Sequence, residues 1–138
     1  MKLSTRGRYG VKAMFDLATN QHKGPVSLKS IAQRQKLSEA YLEQLFANLR
    51  KAGLVKSVRG AQGGYLLADD AENITVGQIL RTLEGTVAPV ECVDDMNGNV
   101  DECPDADSCV TRFVWEKIRD SINEVVDSIT LQDMIEKL

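Results

Sequence analysis

Three cysteines, Cys92, Cys103 and Cys109, stand in one short stretch with the spacing C-x10-C-x5-C. Thiolates are good ligands for iron–sulfur clusters, and three of them on one loop can wrap a cluster and leave its fourth position to another group. The spacing is not the paired C-x2-C of most zinc sites, so structural zinc stays open without being indicated. Free or redox-active thiols are the other reading; a disulfide framework is not, for three thiols in a reducing compartment. Catalysis finds little support. No Ser-His-Asp set and no Cys-His pair close in sequence is present, and the acidic pairs Asp94-Asp95 and Asp101-Glu102 form no defensible glycosidase site. His22, the only histidine, reads as a surface residue. The chain is therefore expected to be a binding protein rather than an enzyme.

A second group of residues has the chemistry of nucleic-acid recognition. The formal net charge of −3 hides a division: residues 1–64 carry 12 Lys/Arg against 3 Asp/Glu, and residues 65–138 carry 5 against 17. A basic half draws phosphates while an acidic half points away from them. Arg8, Lys29, Arg34, Arg50, Lys51 and Lys56 are the phosphate-contact candidates. Arg59, beside Gly60 in a Gly-rich turn, is placed to enter a minor groove. Ser38, Glu39, Tyr41, Gln44 and Asn48 fall on the outer positions of one predicted helix, where Gln can read adenine with paired bonds. Glu43 repels phosphate but can accept a bond from cytosine N4, which makes it a specificity element rather than an affinity element.

These residues need elements to hold them. The apolar periodicity predicts a helix that starts after Ser4 or Thr5 and runs to about Asn20, stopped by Gly24-Pro25. Ser27 caps a short helix from Leu28 to about Gln35, and Ser38 caps a third running to Lys51, with Gly53 as the stop. Two short helices with a tight connection make a helix-turn-helix, its small core formed by Leu28, Ile31, Ala32, Leu37, Leu42, Leu45 and Leu49. Residues 54–58 alternate like a strand, residues 59–64 form a turn, and residues 65–68 are a second strand, so a wing follows the recognition helix directly. The turn lacks a Gly-Lys-Ser/Thr element, which disfavours a nucleotide site. Thr75-Val76-Gly77-Gln78 is a capping box opening a helix to about Leu83.

Residues 86–109 read as irregular. A long helix then runs from about Val110 to Ser128, and Thr130 caps a last short one. Val114, Ile118, Ile122, Val125 and Ile129 form a seam along the long helix that calls for a partner helix, most naturally from a second copy of the chain. The expected fold is mainly α with a small β-wing, in three parts: a winged helix-turn-helix DNA-binding domain at 1–85, a cysteine-bearing cluster-binding loop at 86–109, and a dimerisation helix with a C-terminal short helix at 110–138. A twofold dimer suits a roughly palindromic duplex operator. At 138 residues the chain suits one domain with an added arm. No apolar run is long enough for a membrane helix, and the basic start has no apolar core behind it, so no signal peptide is expected and the protein is read as cytoplasmic.

Whole motifs here resemble a known family. Met1-Lys2-Leu3-Ser4-Thr5-Arg6-Gly7-Arg8-Tyr9, the run from Leu37 through Leu45, the run from Gly53 through Tyr65, and Cys109-Val110-Thr111-Arg112-Phe113-Val114-Trp115 are similar to the IscR/NsrR/CymR-type winged-helix transcription factors, over nearly the whole chain. The resemblance implies a homodimeric regulator, chiefly a repressor, of iron–sulfur cluster assembly genes, with a 2Fe–2S cluster on Cys92, Cys103 and Cys109 that adjusts DNA affinity or specificity. It also implies Tyr41, Glu43, Gln44 and Arg59 as the DNA-facing set. A thiol-redox or nitric-oxide-responsive repressor of the same fold is the alternative. Arg112 replaces the histidine ligand of IscR, the first gap between cysteines is longer, and Arg8 lies in the region where NsrR has a ligating aspartate. The fourth ligand is thus open among Asp94, Asp95, Asp101, Glu102, Asp105, Asp107, His22, Glu43 and an exogenous group. CymR is expected to lack the cysteines, which disfavours that branch.

Overall fold

A computed structural model describes residues 3–89, Val93 and residues 110–138. The three cysteines and the carboxylates of residues 94–107 lie outside the described residues. The elements run α1 (Thr5–Asn20), a short 3-10 turn (Gln21–Lys23), α2 (Leu28–Gln35), α3 (Glu39–Lys51), β1 (Val55–Val58), β2 (Gly64–Leu67), a second 3-10 turn (Ala71–Asn73), α4 (Val76–Glu84), α5 (Val110–Ser128) and α6 (Leu131–Glu136). This is a winged helix-turn-helix, mainly helical with one two-stranded antiparallel sheet.

Local chemistry sets the helix starts. The Ser27 hydroxyl accepts from Ser30 N–H at 3.2 Å and that of Ser38 from Tyr41 N–H at 3.3 Å, each satisfying a donor that the first turn leaves without a partner. Thr75 with Gln78 and Thr130 with Asp133 form complete capping boxes. Between α2 and α3 the chain turns at Lys36, whose φ of 58° is left-handed, and Leu37 N–H returns to the Ala32 carbonyl at 3.0 Å. That bond closes α2 and aims α3 across it.

The core gathers Ala13, Met14 and Leu17 of α1, Ile31 of α2, Leu42, Leu45, Phe46 and Leu49 of α3, Val55 and Leu67 of the hairpin, and Ile79 and Leu83 of α4. Phe46 and Leu17 are fully buried, and the ring of Phe46 tilts against Tyr65 at 4.9 Å between centroids. The wing pairs Val55 with Leu67 through Val58 with Gly64. Val26 adds a bridge to Tyr65, with N–H···O distances of 2.9 and 2.8 Å. α1 and α4 pack so closely that a Cβ on Gly10 would overlap the Leu83 side chain.

The C-terminal segment folds back. Leu131 N–H donates to the Ile74 carbonyl at 2.9 Å, Val76 N–H to that of Ile129 at 2.8 Å, and Leu131 is fully buried in the common core. In packing, α6 therefore belongs with the helix-turn-helix unit, although the sequence groups it with the long helix. α5 is different. None of its residues is buried. It is held to α4 by polar contacts: Arg81 donates to both carboxylate oxygens of Asp127 at 2.7 and 2.8 Å and to Asn123 at 2.9 Å. No helix among the described residues is long and apolar enough to cross a membrane.

Candidate nucleic-acid interface

α3 has two faces. Leu42, Leu45, Phe46 and Leu49 point into the core. Glu39, Ala40, Glu43, Gln44, Ala47, Asn48 and Lys51 are exposed, and their spacing of three to four residues puts them along one wall of the helix. An α-helix presenting Gln, Asn and a carboxylate on one wall, with Arg50 and Lys51 exposed at its end, matches a major groove in size and donor–acceptor chemistry. Glu43 and Gln44, singled out from the sequence, are on that wall.

Tyr41 has a further role there. It is half-buried, stands edge-on to Tyr9 at 6.1 Å, and its hydroxyl lies 3.3 Å from Thr5 Oγ1. It braces α3 against α1 as well as facing outward. The guanidinium of Arg8 and the ammonium of Lys12 lie 5.8 and 5.9 Å from the Tyr9 ring centre, so a pair of cations borders the braced corner. Lys12 escaped the sequence reading; its place one turn after Arg8 was the available signal. Ser38 is exposed, with its oxygen engaged as the helix cap.

The wing carries Lys56 exposed on β1 and Arg59 and Gly60 exposed at its tip. Gly60 has φ 120° and Gly63 N–H closes the turn onto its carbonyl at 3.0 Å. A Cβ on Gly63 would lie only 2.2 Å from the Val58 carbonyl oxygen, so the tight tip needs glycine there. Between this tip and the start of α2 lies an open groove of about 420 Å³, lined in part by Lys23, Ser27, Ser30 and Gln62. Lys29 is exposed on α2.

Arg34, one of the phosphate-contact candidates, also makes a structural pair, with its side chain still 41% exposed. It is tied to Asp16, which is only 3% exposed, by Nη2–Oδ1 and Nε–Oδ2 bonds of 2.7 and 3.0 Å. Gln35 Nε2 donates to the same carboxylate at 3.0 Å. The hydrogen bond to Asp16 pushes the Arg34 pKa up, against the opposing pull of burial. The buried carboxylate explains the pairing: Asp16 needs a paired cation, and Arg34 clasps α2 to α1 while keeping an exposed flank.

The remaining sequence candidates fall elsewhere. Val114, Ile118 and Val125 are exposed on α5, at 44%, 37% and 56%, with Ile122 half-buried in the same row. Arg112 pairs with Glu116 at 3.1 Å, in keeping with a cation that cannot ligate iron. His22 is exposed, its Nδ1 lying 3.2 Å from the Thr19 carbonyl oxygen. Among the described residues no group of three His, Cys, Asp or Glu could hold a metal ion.

A helix-turn-helix with an exposed reading wall, a basic wing and a cationic rim defines a DNA-binding transcriptional regulator. Residues 3–137 match the family described as Rrf2, iron-dependent transcriptional regulator, and the chain belongs to that family. It is 50% identical over 134 residues to the HTH-type transcriptional regulator CymR of Bacillus subtilis, covering 97% of this chain and 89% of that one. The solved structure of CymR, the global cysteine regulator of B. subtilis, superposes with a TM-score of 0.82 at 48% identity, covering 100% and 98% of the two chains. That of IscR from T. potens does so at 0.79 and 57%, covering 99% and 88%. The chain is thus a transcriptional regulator and not an enzyme. The expectation that its cysteines set it apart from CymR finds no support in whole-chain similarity, which is high to both.

Base reading and phosphate contact are expected to separate in a mutant pair. Gln44→Ala is expected to relax sequence choice by on the order of 1–3 kcal/mol at one base position. Lys51→Ala is expected to weaken all duplexes alike and to lower the salt slope of log K by about 0.9. Competition gel shifts against single-base operator variants, repeated over a salt series, read both quantities.

Proposed function

We propose that the chain is a cytoplasmic, homodimeric repressor that reads a roughly palindromic duplex and whose DNA binding responds to a 2Fe–2S cluster held by Cys92, Cys103 and Cys109. The observation that carries the DNA part is the exposed wall of α3 beside the wing. The seam along α5 supports the dimer. The donor set fits the cluster: three thiolates lie in the segment between α4 and α5, and that is the ligand type such clusters take. When bound, the cluster would supply a redox-labile group whose loss can be sensed.

The chain's own residues do the rest. Arg8, Lys29, Arg50, Lys51 and Lys56 neutralise phosphates, Arg59 and Gly60 bring the wing close to the minor groove, and Ser38, Tyr41, Glu43 and Gln44 face the major groove. Arg112, bound to Glu116, leaves the fourth cluster position to another group, and the carboxylates beside the cysteines are the nearest in sequence. On this division residues 1–85 bind DNA, 86–109 sense, and 110–138 pair the protomers, with α6 also closing the DNA-binding core.

A thiol-responsive regulator is the second reading, favoured by the similarity to a global cysteine regulator. The visible spectrum of protein purified without oxygen separates them. The cluster reading expects a red-brown chromophore that is lost in each of the three Cys→Ala variants. A colourless protein, metal-free or holding zinc, contradicts it and leaves the thiol or structural-zinc readings.

A further inference from the structure

The start of α1 is held from two sides. On one side the Glu84 carboxylate, on the last residue of α4, receives Ser4 N–H at 3.0 Å, Gly7 N–H at 2.8 Å and the Ser4 hydroxyl through the same oxygen, Oε1. Ser4 is the N-cap of α1, and its own hydroxyl oxygen accepts from Arg6 N–H at 3.2 Å. The first turn of a helix has N–H groups without internal partners. Here a carboxylate eighty residues away satisfies two backbone donors, one on the cap and one in the turn. The packing is tight: a Cβ on Gly7 would lie 2.5 Å from Glu84 Oε1.

On the other side of that turn, Thr5 and Tyr9 hold Tyr41. Thr5 Oγ1 lies 3.3 Å from the Tyr41 hydroxyl, and Tyr9 meets Tyr41 edge-to-face at 6.1 Å and 88°. Thr5 and Tyr9 flank Gly7 in sequence by two residues each way. A shift of the turn against Glu84 therefore moves the seat of Tyr41, and Tyr41 lies on α3 between Ala40 and the reading residues Glu43 and Gln44. Glu84 also directly precedes Gly85, whose φ of 86° turns the chain out of α4 towards the cysteine-bearing segment.

We infer that Glu84 is a positioning residue for DNA reading: by fixing the first turn of α1 it fixes the Tyr41 brace, and so the setting of the recognition helix in the groove. The inference rests on the DNA-binding reading. Charge agrees with geometry. Burial works to raise the Glu84 pKa, but the bonds from Ser4 and Gly7, with Arg6 nearby, outweigh it and hold the carboxylate below its ordinary value. The group is thus ionised when the protein binds DNA at neutral pH.

The test is a double-mutant cycle with Glu84→Ala and Tyr41→Phe, read as affinity for a duplex selected from a random library by the parent protein and for unselected duplex. Glu84→Ala is expected to lower affinity for the selected duplex roughly tenfold while leaving unselected DNA almost unchanged. The double variant is expected to lose less than the product of the single losses, since residues coupled through one backbone segment, here the first turn of α1, are not additive. Glu84→Gln, which keeps an accepting oxygen, should recover part of the loss. Gly7→Ala, which crowds the carboxylate without removing it, should reproduce the loss, and it keeps the test open if Glu84→Ala folds poorly. Equal losses on both duplexes, or single losses that multiply, overturn the inference and leave Glu84 as a helix cap alone. A parent protein with no preference for any selected duplex sinks the DNA reading, and this inference with it.

Discussion

Ile118→Glu is expected to turn the protein into monomers and to weaken operator binding by roughly 10²–10⁴-fold. Val114, Ile118 and Val125 are exposed along α5, with Ile129 just past its end, and an apolar stripe of this length on a helix with no buried residue lacks a partner within the described chain. A second copy offers the matching face. Glutamate at Ile118 would place an unpaired carboxylate in the closed seam, where desolvation disfavours association. Monomers still carry α3 and the wing, so each half-site is read alone. The lost gain is that of linked binding, which is where the fold-change comes from. Ile118 is 37% exposed and lies outside the buried core of its own chain, so the variant is expected to stay folded as a monomer. Sedimentation velocity and anisotropy with full and half operators check this. A variant that remains dimeric places the interface elsewhere.

Phe46→Ala is expected to cost about 3–5 kcal/mol of folding stability and to lower Tm by roughly 10 °C or more. Phe46 is fully buried on the side of α3 opposite the reading wall. Its contact with Tyr65 joins the recognition helix to β2 of the wing, and Tyr65 is bonded in turn to Val26 ahead of α2. Emptying this position leaves a cavity where helix, wing and helix-turn-helix meet. Phe46→Leu, which fills more of it, should fall between the two. Calorimetry of the three proteins tests the order. An alanine variant as stable as the parent would show that the wing and α3 are held by other contacts.

Much of this architecture was legible because its signals are local. Ser27, Ser38, Thr75 and Thr130 cap the helices that follow them through bonds three residues long, and such bonds are written in nearby positions. The same holds for the wing, whose turn needs glycine at Gly60 and Gly63. Long-range partners were harder. Asp16 is buried on the inner face of α1, and no local pattern shows that Arg34 and Gln35 of α2 close around it. Phe46 was missing from the expected core because the leucine rhythm of α3 was complete without it. The docking of α6 depends on Thr75 and Thr130 pairing across more than fifty residues, which no local pattern encodes. Tyr41 was placed correctly on α3, but its brace on Tyr9 and Thr5 depends on how α1 crosses α3. The three cysteines, plain in the sequence, lie outside the described residues, so their role rests on donor chemistry and family likeness.

On the cluster reading, the cysteine segment governs what the winged helix binds. It is tested most directly by measuring operator affinity on one anaerobic preparation before and after its chromophore is bleached with an iron chelator, against selected and unselected duplex in parallel at fixed salt. Bleaching is expected to change the ratio of the two affinities by tenfold or more, and a triple Cys→Ala variant to behave as the bleached form from the start. An unchanged ratio, with the triple variant indistinguishable from the intact protein, would contradict it.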